Sequence, residues 1–188
     1  MSNSKAAERY AKSLFQIASA EGTQEAVLAD IHSYKNAIHS NHELHTVMQS
    51  PVIPSSKKKA IIDAIFKSSF QKVTSLFFDL VILKGREKEL SHIAEAYIKE
   101  DKRIKGIKDG MLVTASPLND ELRNELISRA EKLAGSKVEI TESVDPAIIG
   151  GFILTVGDLQ LDESIRTKLS KLRLQLVDSS YIPKIDLI

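Results

Sequence analysis

The sequence contains no cysteine, which excludes disulfides, thiolate metal sites and cysteine nucleophiles. Tryptophan is absent too. Charge of one sign is not in excess: 26 Lys and Arg face 25 Asp and Glu, for a net +1. A dedicated nucleic-acid binder would carry a concentrated basic surplus. Long hydrophobic runs are missing. Leu76 to Phe78 and Leu80 to Leu83 are split by Asp79, far short of the roughly 20 apolar residues that span a bilayer. The opening Met-Ser-Asn-Ser-Lys-Ala-Ala-Glu has no apolar signal core. The expectation is a soluble chain with no direct membrane insertion. Catalytic motifs are equally scarce. No Gly-x-Ser-x-Gly elbow occurs. Gly135-Ser136-Lys137 lacks the upstream glycine of a phosphate loop. Gly150-Gly151 precedes a strand rather than a helix N-terminus. We therefore expect no catalytic residue and no cofactor.

What is present is mostly helical periodicity. The hydrophobic share is 43% of 188 residues, ordinary for a globular chain. Residues 5 to 20 predict a helix with Ala7, Tyr10, Ala11, Leu14, Ile17 and Ala18 on one face. Residues 23 to 40 predict a second, with Val27, Ile31, Tyr34 and Ile38 in phase. A short piece holds Leu44, Val47 and Met48. Pro51 and Pro54 bracket a rigid connector, and Ser55 reads as the cap of a fourth helix. Residues 72 to 84 are apolar on nearly all sides, as expected of a helix buried at a bundle's centre. A sixth helix runs to about Ile104. The charged, glycine-bearing segment 101–110 reads as a linker.

Beyond it, Met111 to Ala115 predicts a strand. Asn119 caps a helix that Gly135 ends, and Val138 to Val144 predicts another strand. Phe152 to Val156 is a β-branched strand, Gly157-Asp158 a turn, and Leu159 to Leu161 a short strand. Asp162 then caps a helix bearing Ile165, Leu169, Leu172 and Leu176. The fold class expected is α+β: a six-helix N-terminal bundle over 1–105, a small α/β domain over 106–178, and a tail over 179–188.

Histidines at 39, 42 and 45 recur every third residue, a spacing compatible with metal ligation on a helix. With no completing cysteine and the helix end close by, a solvated polar face is the stronger reading, so no metal is expected. Lys57-Lys58-Lys59 reads most simply as a solvated helix start.

The stretch from Asp145 to Leu176 resembles the C-terminal signature of the F-type ATP synthase delta subunit. The similar features are a proline-preceded Ile-Gly-Gly-Phe, an apolar strand, a Gly-Asp turn, Leu-Asp-Glu-Ser-Ile and a leucine-rich helix. The likeness extends upstream. Tyr10-Ala11 followed by Leu14-Phe15 is similar to the family's first helix, and Ser50-Pro51 before a lysine-bearing helix to its middle segment. Leu83-Lys84-Gly85-Arg86 is similar to its helix-ending turn, although asparagine often stands where Lys84 does.

The resemblance implies a non-catalytic stator subunit, a monomer within a hetero-oligomeric complex, at the cytoplasmic face of a bacterial inner membrane. It implies that the bundle receives the alpha subunit's N-terminal helix through Tyr10, Ala11, Leu14, Phe15, Ala18, Leu76, Leu80 and Leu83. It implies that Gly150, Gly151, Asp162, Ser164, Arg166 and Leu169 engage the b-subunit stalk or shape the domain that does. Within the groove, Phe15 is expected at the rim. The rival reading is a helical adaptor or regulator unrelated to ATP synthase, for which salt-dependent retention on DNA would speak.

Overall fold

A computed structural model describes the backbone of residues 3–178 and the side chains of 5–176. The expected tail, 179–188, lies outside the described residues. The chain divides into two compact units, Met1–Lys105 and Gly106–Ile188.

The first unit is built from α1 (Asn3–Ala20), α2 (Gln24–Ser40), α3 (His42–Gln49), α4 (Ser55–Phe66), α5 (Lys72–Leu83) and α6 (Leu90–Ile104), with a 3-10 turn over Glu87–Glu89. α1 lies along α6. Its buried stripe, Ala7, Ala11, Leu14 and Ala18, is mostly alanine, which lets the two backbones approach. Leu14, Val27, Ile31, Tyr34, Phe78, Val81, Ile93 and Tyr97 belong to the one core cluster of this unit.

Two buried carboxylates hold helix ends. Asp30 on α2 accepts from Gln71 N (2.8 Å) and from Thr74 Oγ1 (2.7 Å). It therefore supplies from a distant helix the acceptor and negative charge that the first turn of α5 requires. Glu87 accepts from Lys58 Nζ at 2.8 Å, and the same ammonium donates to the Met48 carbonyl at 3.1 Å. Lys58 is fully buried; the solvated reading of 57–59 fails there because one ammonium ties α4 to the end of α3 and to the 3-10 turn. Lys59 remains near the surface and pairs with Asp79. Burial pushes the Glu87 carboxyl up, but the hydrogen bond from Lys58, its own backbone amide and the charges of Lys58 and Lys88 leave it below the usual glutamate value.

The second unit contains β1 (Lys108–Thr114), α7 (Asp120–Ala134), β2 (Val138–Val144), a 3-10 turn (Pro146–Ile148), β3 (Phe152–Val156), β4 (Leu159–Asp162) and α8 (Ile165–Asp178). The sheet order is β2-β1-β3-β4. β1 and β2 are parallel, Lys108 opposite Val138, joined through α7. β3 runs antiparallel to both β1 and β4. One face of the sheet, with Leu112, Leu154 and Val156, packs with Leu126 and Ala130 of α7. Asn119 caps α7 by accepting from Leu122 N at 3.0 Å, and Gly135 closes it with φ +65°.

The expected fold class needs correction. Eight α-helices and a four-stranded mixed sheet are present among the described residues, so a six-helix bundle with an α/β appendage does not describe the chain; only the α+β character fits. The 3-10 turn at Glu87–Glu89 is a further helical element that periodicity merged with α6. The C-terminal unit has one parallel and two antiparallel pairings, where α/β implies a parallel sheet. A second correction concerns α5. It is not buried all round: Leu76, Leu80 and Leu83 are 59%, 47% and 83% exposed.

Candidate partner-binding site

α5 places its apolar residues on two faces. Thr74, Phe77, Phe78, Val81 and Ile82 face the core. Leu76, Leu80 and Leu83, at i, i+4 and i+7, share the opposite face and meet solvent. An exposed leucine is ordinary; three in one stripe on a short helix form a contiguous apolar surface of the kind that partners cover.

On one side of this stripe lies α1. Tyr10 packs edge-on to Phe77, ring centroids 6.3 Å apart. Ile17, two turns further along the same flank, is exposed. On the other side α4 and α5 enclose a cavity of about 610 Å³ lined by Ser55, Ser56, Lys59, Asp79, Leu80, Ile82 and Leu83. Leu80 and Leu83 thus border α4, and Leu80 lies on the same face as Leu76.

The groove residues expected from sequence separate accordingly. Leu76, Leu80 and Leu83 form an accessible stripe, and Tyr10 is half-buried beside it. Ala11, Leu14 and Ala18 are core and shape α1 without offering it to a partner. Phe15 is half-buried on the other flank of α1, 5.7 Å from the Tyr97 ring of α6, and is not brought to the α1–α5 seam. Ile17 was absent from the expected groove. Its signal was available, since it shares the α1 flank of Tyr10 at i+7.

In the second unit the glycine pair has a defined task. Gly151 adopts φ +77°, and a Cβ there would stand 2.3 Å from the Glu163 carbonyl oxygen. A Cβ on Gly150 would meet Ile165 Cδ1 at 2.7 Å. The bare backbone lets Glu163 N donate to Phe152 O and Ile165 N donate to Gly150 O, each at 2.9 Å. The start of α8 is thereby sewn to the entry of β3.

Asp162 and Ser164 complete that start. Ser164, buried, caps α8 by accepting from Thr167 N at 3.2 Å. Asp162 accepts from Ser164 N at 2.9 Å and Thr167 Oγ1 at 2.8 Å. The cap expected at Asp162 is therefore shared. The Ser164 and Thr167 bonds, with Lys171 nearby, hold the Asp162 carboxyl below its usual range. Beyond this knot Ile165, Leu169, Leu172 and Leu176 follow at helical spacing, all exposed, as is Arg166. Among the described residues, α8 thus carries an apolar stripe that is exposed.

The histidines enclose a cavity of about 340 Å³ between α2, α3 and α6, lined by Tyr34, Lys35, Ile38, His39, His42, His45, Ser91, Ala94 and Glu95. The His42 and His45 rings stack at 6.4 Å. Among the described residues no group of three or more ligating side chains is placed to hold a metal ion. Among them, too, no helix is long and apolar enough to cross a membrane.

The described residues thus make a helical unit and a mixed-sheet unit, each presenting an exposed leucine stripe of the kind found on proteins that bind other proteins. The family model described as ATP synthase delta (OSCP) subunit matches residues 6–176. The ATP synthase subunit delta of Christiangramia forsetii is 34% identical over 185 residues, covering 98% of this chain and 100% of that protein. That of Brevibacillus brevis is 33% identical over 162 residues, covering 86% and 93%. The chain belongs to the ATP synthase delta (OSCP) subunit family. Its fold is similar to that of a chain in the cryo-EM structure of the Toxoplasma gondii mitochondrial ATP synthase hexamer, with TM-score 0.67 and 24% identity over 91% of this chain and 97% of that one.

Proposed function

We propose that the protein is the non-catalytic stator subunit of an F-type ATP synthase, joining the catalytic head to the b-subunit stalk. It holds the head still against the rotor, so that torque becomes ATP synthesis. It does so at the cytoplasmic face of a bacterial inner membrane, attached through the complex. The alpha subunit's N-terminal helix lies on the α5 stripe beside α1. The stalk engages the second unit through α8.

The observation that carries this is the row Leu76, Leu80 and Leu83, exposed at i, i+4 and i+7. An amphipathic helix docks through anchors of that spacing. Its apolar side chains would be covered in turn by Tyr10 and Ile17. The test is titration of a synthetic alpha N-terminal peptide onto the full chain. Leu80→Asp should weaken binding by at least about 2 kcal/mol, from lost burial plus the desolvated charge. Circular dichroism should be unchanged, because Leu80 lies outside the core. Wild-type affinity in the folded Leu80→Asp chain would place the site elsewhere.

A further inference from the structure

At the C-terminal end of α5 the groove meets a second, polar cavity of about 310 Å³, lined by Ala6, Arg9, Tyr10, Ser13 and Arg86. Two of its five walls are guanidinium-bearing and none is a carboxylate. The Ser13 hydroxyl donates to the Arg9 carbonyl at 2.9 Å.

The position of Arg86 is built into the fold. Gly85 ends α5 with φ +66°. Gly85 N donates to Ile82 O at 2.9 Å and Arg86 N to Val81 O at 3.0 Å, the double bond of a left-handed helix stop. This turn sets the Arg86 guanidinium carbon 5.5 Å from the centre of the Tyr10 ring, a cation–π arrangement that orients the charged plane. The same ring meets Phe77 edge-on. Tyr10 is therefore shared between the apolar groove and the cationic cavity, and an occupant of one reaches the other.

We propose that Arg9 and Arg86 bind a carboxylate side chain of the helix that occupies the α1–α5 groove, an inference that rests on the groove reading above. Two guanidinium forks, that of Arg86 oriented by the Tyr10 ring, suit a carboxylate, which accepts from each. An amphipathic helix carries its charged residues beside its apolar stripe. An Asp or Glu flanking the last anchor is thus delivered to the cavity as the apolar side chains seat. The leucine stripe supplies area without polarity. The arginine pair, at one end only, fixes which way the helix runs and in what register.

The test uses the full chain and a synthetic peptide of the alpha N-terminal helix, titrated at low and at high salt. Arg86→Gln should weaken binding about ten-fold at low salt, the scale of a charge pair at an interface. Arg9→Gln should weaken it less, and both variants should lose much of the salt dependence of the wild type. The Arg86→Glu chain should regain affinity for a peptide in which one acidic residue is replaced by lysine, and only at one peptide position. Circular dichroism and urea midpoints check that each variant folds. Binding that depends on Leu80 but is unaltered in affinity and salt slope by Arg86→Gln and Arg9→Gln overturns this proposal and leaves the groove standing. Failure of the wild-type chain to bind the peptide, or binding indifferent to Leu80, overturns both.

Discussion

Gly151 shows how one residue can set the start of a helix. Its positive φ already disfavours a side chain, and the atom a Cβ would meet is backbone, the Glu163 carbonyl at 2.3 Å, which no rotamer change can relieve. Gly151→Val should therefore disrupt the β3–α8 junction, lowering the thermal stability of the second unit while the helical signal of the first persists. Binding to the b stalk should fall and alpha-peptide binding should not; unchanged stalk binding would show that the junction is dispensable. Lys58 and Glu87 give the corresponding case in the bundle. Glu87 sits below its usual pKa when folded, so its contribution is full above the ordinary glutamate value and is lost as pH falls through the depressed one. Urea midpoints measured from neutral pH downward should fall through that acidic window, and less steeply in Glu87→Gln. Glu87→Ala, which strands a buried ammonium, should cost about 3–5 kcal/mol near neutral pH. A surface-like loss would mean that Lys58 reaches water.

At the scale of elements, most helices and strands were legible because their apolar residues keep one period. The bounds of α2, β2 and β3 follow from Val27, Ile31 and Tyr34 in helical phase, from alternation about Ile140, and from the apolar β-branched run 152–156. The side-chain contacts that join elements were not legible. Asp30 reaches Thr74 across 44 positions and Lys58 reaches Glu87 across 29, and local pattern carries no trace of such pairs. Periodicity also failed on α5, where leucines all round suggest burial but one row faces solvent. Of the residues expected to line a groove, Leu76, Leu80 and Leu83 are exposed in one row, while Phe15 lies on the α6 flank beside Tyr97 and Ile17, which was not among them, is exposed on the flank of Tyr10. Phe15→Asp should accordingly destabilise the bundle near Tyr97 more than it weakens alpha-peptide binding, read as a drop in urea midpoint. α8 makes the converse case. Leu169→Asp should leave the fold intact, since Leu169 is exposed, and weaken stalk binding at least ten-fold, about 1.4 kcal/mol. Full stalk binding by that variant would move the interface off α8.

At the scale of the whole molecule, the division at Lys105 and Gly106 predicts two separately folding halves. The linker expected over 101–110 is shorter, since 101–104 close α6 and β1 begins at Lys108; brief protease treatment should cut within 105–107 and leave an N-terminal fragment of about a hundred residues that keeps its helical signal. Cleavage scattered through the bundle would count against independent folding. The exposed stripe of α8 has a consequence for the supply of the protein in a cell. A copy outside its assembly displays Leu169 and Leu172 to the surrounding chaperones and proteases. An exposed apolar stripe is the kind of surface that quality control removes, so in a pulse-chase experiment the chain should be short-lived wherever its stalk partner is depleted.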